Sequence, residues 1–186
     1  MRASGSKLPL LARCAYTCRP DVTLPAGSDS EPAARGRARH EDFEAWVKGV
    51  DGWESPALSA WPDEQAARRR FLLELSTRLP MLSLVETEVV MVYDTVSGRT
   101  RRSPHKRTHD DADAVASEIR LIADAASGDL VVDYKTGRPV TGAEEQTRAL
   151  ALAWASLHGL SSVRAALAYI DDNGRIWRWD EQKLDS

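Results

Sequence analysis

The chain has 186 residues, 42% hydrophobic and 28% charged, with a formal net charge of −3; this balance suits one globular domain with a real core and argues against a disordered chain. The small negative excess excludes a global basic field, so any contact with nucleic acid has to come from local clusters. No apolar run reaches the ~18 residues that a membrane span needs.

At the amino terminus the short Leu8-Pro9-Leu10-Leu11-Ala12 patch is interrupted by Arg13 before a secretory core forms, so a cytoplasmic protein is expected. Cys14 and Cys18, the only cysteines, are too few for a four-thiolate zinc or iron-sulfur site and read as reduced packing residues. Residues 1–34 are expected to be a lead and loop, and 35–186 a single folded domain. A first helix is expected from Ala33 to Lys48, stopped by Gly49, with His40, Phe43, Glu44 and Val47 on one stripe. Asp51 to Pro62 is turn-rich and carries Trp53 and Trp61.

A second helix is expected over Asp63 to Arg78, with Phe71, Leu72 and Leu75 inward; its Arg68-Arg69-Arg70 run is either a solvated face or a phosphate contact. The period then changes to two, and Leu84–Tyr93 and Val115–Ala123 read as strands. Between them, Asp94 to Ala114 holds Arg99, Arg101, Arg102, His105, Lys106, Arg107 and His109, followed by Asp110, Asp111 and Asp113. It reads as a long solvated hairpin or as a basic finger along a DNA backbone.

A third strand, Asp129–Lys135, ends in Asp133-Tyr134-Lys135-Thr136-Gly137. Alternation puts Asp133 and Lys135 on one face, a carboxylate beside an ammonium. That pair suits metal-assisted phosphodiester hydrolysis, the carboxylate holding the ion and the ammonium orienting water or stabilising developing charge. Glu181-Gln182-Lys183 has the same spacing but no apolar strand ahead of it. The chain has only five lysines, which gives the one at 135 more weight; an ordinary surface ion pair at a strand end is the alternative. A helix from Gly142 to His158, stopped by Gly159, carries Gln146 on its first inward turn, and Val163–Ile170 and Arg175–Trp179 form a hairpin around Asp171-Asp172-Asn173-Gly174.

Three of these pieces together resemble the PD-(D/E)XK nucleases, in the RecB-like exonuclease branch that includes phage recombination and CRISPR-associated nucleases. Gly36-Arg37-Ala38-Arg39-His40 is similar to the Gly-x-x-x-His helix of that family, Asp133-Tyr134-Lys135-Thr136-Gly137 to its core strand, and Gln146 to the glutamine opening its next helix. The resemblance covers residues 8 to 170 and lacks the iron-sulfur cysteines. It implies an α/β, restriction-endonuclease-like core, a mixed central sheet flanked by helices in the order α-β-β-β-α-β. It also implies Mg²⁺ or Mn²⁺ held by His40 and Asp133, with Lys135 activating and Gln146 positioning the phosphate or the water. Arg99, Arg101, Arg102, Lys106, Arg107, Arg120 and Tyr134 are the expected substrate contacts.

One departure stands out. The family carries a second metal-binding Asp about a dozen residues before the core Asp, and here Ser117-Glu118-Ile119-Arg120 puts arginine there. A guanidinium about 4 Å from a divalent cation would repel it by roughly 8 kcal/mol at an effective dielectric near 20. Glu118, two residues back on the same face, is the expected substitute ligand. Two functions follow. One is a metal-dependent DNA nuclease, most simply an exonuclease of repair, recombination or defence, acting alone or with a helicase or recombination partner. The other is a catalytically silent nuclease fold that binds DNA or protein.

Overall fold

Period-two alternation along the valine- and alanine-rich segments builds a mixed β-sheet covered by helices on both faces. The structure is a computed structural model that describes residues 3–4, 31–47, 66–79, 84–103, 118–139 and 141–185. In chain order the described elements are β1 (Ala3–Ser4), α1 (Glu31–Val47), α2 (Ala66–Arg78), β2 (Glu86–Asp94), β3 (Thr100–Arg102), β4 (Glu118–Ser127), β5 (Leu130–Thr136), α3 (Ala143–His158), β6 (Ser162–Ile170) and β7 (Ile176–Asp185). The expected leading segment up to residue 30, both cysteines, Trp53, Trp61 and the stretch from His105 to Asp113 lie outside the described residues.

The sheet runs β3-β2-β4-β5-β6-β7, with β1 beside β4. Neighbours on that path are antiparallel except β5 and β6, which run parallel and are joined through α3. A parallel pair needs such a crossover, because its connection must return along the whole strand length. α3 is held to length by Gly159, whose φ of 64° and N–H bond to the Ala155 carbonyl close its last turn in a left-handed cap.

β5 sorts its side chains cleanly between two cores. Leu130, Val132 and Tyr134 pack with Phe43 of α1 and with Phe71, Leu72 and Leu75 of α2. Val131 points the other way, into Leu150, Ala151 and Trp154 of α3. Each fully buried large apolar side chain contributes about 1.5–3 kcal/mol, so both faces are committed and the register of β5 is fixed.

Three expected elements differ: β7 runs to Asp185, six residues past the expected end at Trp179, and takes in Glu181-Gln182-Lys183, paired with β6. The long solvated hairpin after β2 contains a further strand, β3, paired with Met91–Tyr93. β4 extends four residues past the expected end at Ala123 and brings Asp124 into the sheet. The β6–β7 turn sits against α2 so closely that a Cβ on Gly174 would lie 1.7 Å from the Ala67 carbonyl oxygen, and its φ of 76° suits glycine.

Candidate metal centre at a break in the sheet

The β4–β5 hairpin turns through Gly128 and Asp129, with Ser127 opposite Leu130 and Ala125 opposite Val132. One step further, Asp124 and Asp133 stand level, but the paired ladder stops. In its place the Asp124 carboxylate enters the gap between the strands and accepts the Tyr134 N–H at 2.8 Å. On the other side of β4, Thr87 pairs with Ala125 and Val89 with Ala123, which sets Glu88 level with Asp124. Glu88 has a φ of 50°, a left-handed conformation rare for a non-glycine residue inside a strand, and such strain persists where the surroundings impose it.

Three carboxylates therefore stand in one cross-strand row. Like charges directly opposite in a sheet are destabilising, so the row needs cations. α1 supplies one from the Tyr134 side: His40 Nδ1 lies 3.0 Å from Glu88 Oε1 and 3.2 Å from Asp124 Oδ1. Its ring packs against Tyr134 with centroids 4.4 Å apart. α1 lies close here because Gly36, one turn before His40, has no side chain; a Cβ there would be 3.2 Å from Thr136 Oγ1. β5 supplies the other cation, Lys135, whose ammonium donates to Asp133 Oδ1 at 2.9 Å. On the α3 side, the Thr147 hydroxyl lies 3.4 Å from Asp133 Oδ2.

The electrostatics follow from burial and proximity. Burial works against an imidazolium at His40, but the Asp124 and Glu88 carboxylates outweigh it and push its pKa up to about 10. Burial raises Asp124 too, yet His40 and Lys135 hold it below the usual carboxylate range. Asp133, buried and next to the Asp124 charge, is pushed up to about 7 even though Lys135 pulls it down. Lys135 is raised, its carboxylate neighbours overcoming its own burial. A buried acid with a pKa near neutrality beside one that stays ionised is the separation that acid–base and metal chemistry uses.

His40, Glu88 and Asp124 offer one nitrogen and two carboxylate oxygens that all lie within 4.8 Å of one another, a set that could hold a metal ion. Several expected residues are corrected. Glu118 is not a ligand: it stands six residues before Asp124, roughly 20 Å along the strand, and pairs with Arg101 at 3.2 Å. Arg120 is four residues from Asp124 on β4, and it is Asp124 that stands level with Asp133. Tyr134 is 2% exposed and packed on Phe43 and Phe71, so it cannot touch substrate.

Asp133 and Lys135 are paired on β5, and His40 reaches Asp124, the residue level with Asp133, from α1. Gln146 is half-buried on the first turn of α3, and its neighbour Thr147 is the residue that reaches Asp133. Arg102 is bound by Glu86 through two hydrogen bonds, of 2.6 and 2.7 Å, and Arg101 by Glu118, so neither is a free basic finger. Arg99 is exposed, while Lys106 and Arg107 lie outside the described residues. In the arginine run, Arg68 binds the buried Asp42 of α1 through two nitrogens, which ties α2 to α1.

No family model matches the sequence, and no curated protein matches it. Among solved structures, the crystal structure of SSO0001 is similar over 80% of this chain and 62% of that one, at 18% identity and a TM-score of 0.33, so this chain spans less than two thirds of that protein's length. Among the described residues, no helix is long and apolar enough to cross a membrane.

Proposed function

We propose that the protein is a metal-dependent DNA nuclease with a restriction-endonuclease-like core, of the RecB-like PD-(D/E)XK type, that hydrolyses phosphodiester bonds. The observation that carries the reading is the convergence of His40, Asp124, Asp133 and Lys135 at the point where β4 and β5 part. The donor set fits a divalent ion. Buried carboxylates need compensating positive charge, and one nitrogen among oxygens suits Mn²⁺ at least as well as Mg²⁺, which prefers oxygen and water.

His40, Glu88 and Asp124 would hold the ion, with Asp133, level with Asp124 and paired with Lys135, beside it. When bound, such an ion supplies charge stabilisation at the phosphate and a more acidic water. Lys135, held by Asp133 and three-quarters buried, would offer a fixed ammonium to the charge that develops on a phosphate oxygen. Lys135 holds the Asp133 carboxylate by its ammonium, while the Thr147 hydroxyl donates to the Ala143 carbonyl at 2.8 Å and packs beside it. The silent alternative draws its support from an arginine in the metal's place, and Arg120 does not stand there.

The test is cleavage of end-labelled DNA with Mn²⁺ or Mg²⁺, comparing wild type with Lys135→Ala. The expected result is metal-dependent product from the wild type and a rate lower by about 10²–10³ in the variant, the usual cost of one electrostatic group. Metal-independent product, or equal rates, defeats the reading.

A further inference from the structure

The row of residues that contains Lys135 continues across the sheet into an aromatic platform. Lys135 is level with Tyr169 on β6, and Tyr169 is level with Arg178 on β7. The register then shifts: Ile170 pairs with Ile176, so Trp177 is an inserted residue at a β-bulge. A bulge re-aims a side chain, and this one brings Trp177 onto Tyr169 with ring centroids 5.6 Å apart at an interplanar angle of 37°.

Tyr169 is 3% exposed and seated on Ala143 and Leu167, so it supports Trp177 rigidly from below. Trp177 itself is 46% exposed. Arg178 covers Tyr169 at 5.5 Å from the ring centroid, and its charge is met by Asp180 at 2.6 Å and Glu144 at 3.9 Å. The platform thus offers an aromatic face without net positive charge, which suits the flat face of a nucleobase and not a phosphate. Two strand spacings, about 10 Å, separate it from β5, a short stretch of nucleotide chain from Lys135.

We propose that Trp177, backed by Tyr169, stacks on an unpaired base next to the phosphate engaged by the metal centre, so the preferred substrate is single-stranded DNA or a single-stranded end. The proposal rests on the nuclease reading and adds its substrate class. Inside a duplex both faces of each base are covered by neighbouring pairs, whereas an unpaired base has a free face, and stacking tolerates any sequence.

The experiment measures binding of a fluorescent oligothymidine and of a blunt hairpin duplex by anisotropy in Ca²⁺, with gels to verify intact DNA. Trp177→Ala is expected to weaken oligothymidine binding about 5- to 150-fold, as loss of one stacking aromatic does. Trp177→Phe should restore most of that affinity, and duplex binding should stay within about twofold in both variants, since no stacking partner is lost there. Unchanged oligothymidine affinity in Trp177→Ala, or an equal loss for duplex, overturns the proposal. If wild type cleaves DNA while Trp177→Ala is neutral, stacking alone fails. If wild type binds Mn²⁺ by calorimetry but neither DNA, the nuclease reading fails and takes this inference with it.

Discussion

β4 carries one carboxylate at its first residue and another within its buried stretch, and the two have opposite fates. Glu118 sits where β2 continues the ladder, is largely covered, and is matched by the exposed Arg101 of the edge strand β3, beyond β2. Asp124 sits where β5 has pulled away, is 6% exposed, and meets an imidazole, a backbone N–H and a second acid. The same residue chemistry on one strand makes an ion pair with an exposed arginine in one place and a buried cluster of acids and imidazole in the other. What separates them is the sheet: only where the ladder opens can side chains from both faces meet in its plane.

The largest expected effect tests that difference directly. Asp124→Asn keeps an oxygen to accept the Tyr134 N–H but removes the charge shared with His40. We expect Mn²⁺ binding by calorimetry to be lost and cleavage to fall by about 10³ or more, at least the cost of one electrostatic group. Retained metal binding in this variant would move the centre elsewhere.

A second prediction concerns stability against pH in EDTA, where His40 and Asp133 act with the same sign. Both are raised above their ordinary values, to about 10 and about 7, so the folded state binds more protons than the unfolded state. The His40 contribution is fully present below its ordinary value near 6.5 and is lost as pH rises through about 10. The Asp133 contribution is lost between about 4 and 7. Asp124 is lowered and opposes them only in acid, losing its contribution as pH falls below the ordinary carboxylate range. Stability measured by urea unfolding should therefore fall steadily from pH 5 to pH 10, by a few kcal/mol in all, since each tenfold difference in proton affinity between the folded and unfolded chain is worth about 1.4 kcal/mol. His40→Gln should flatten the curve above pH 7. A flat wild-type curve over that range would show that the acids are not held together by the imidazole.

Much of this is legible in the sequence, and the rest is not, for definable reasons. The strand ending in Asp133-Tyr134-Lys135 and the helix carrying His40 are local patterns, and both reach the site. Asp124 is hidden by a spacing argument that points to residue 120 and by a strand whose expected end, Ala123, falls just short of it. The signal that finds it is the two-residue turn at Gly128 and Asp129: counting outward from that turn sets residue 124 opposite residue 133. Glu88 has no comparable local mark. Thr87-Glu88-Val89 is an ordinary strand sequence, and only pairing with β4 and a left-handed backbone give it its place. Tyr134 looks like a substrate contact because it stands between Asp133 and Lys135, although alternation alone sends it to the opposite face.

The smallest expected effect belongs to the other end of β4. Arg101 is more than half exposed, so its pair with Glu118 is screened by water and restricts two long side chains in return for little Coulomb energy. A pair with one partner held in water contributes about 1 kcal/mol or less. Glu118→Gln should therefore leave metal affinity and cleavage within about twofold of wild type and stability within about 0.5 kcal/mol, as for most surface changes. Because Glu118 and Asp124 share a strand, a general loosening of β4 would affect both variants alike. A large loss of metal affinity in Glu118→Gln would mean that β4 slides in register on binding the ion, and the cluster at Asp124 would then be only one of two arrangements.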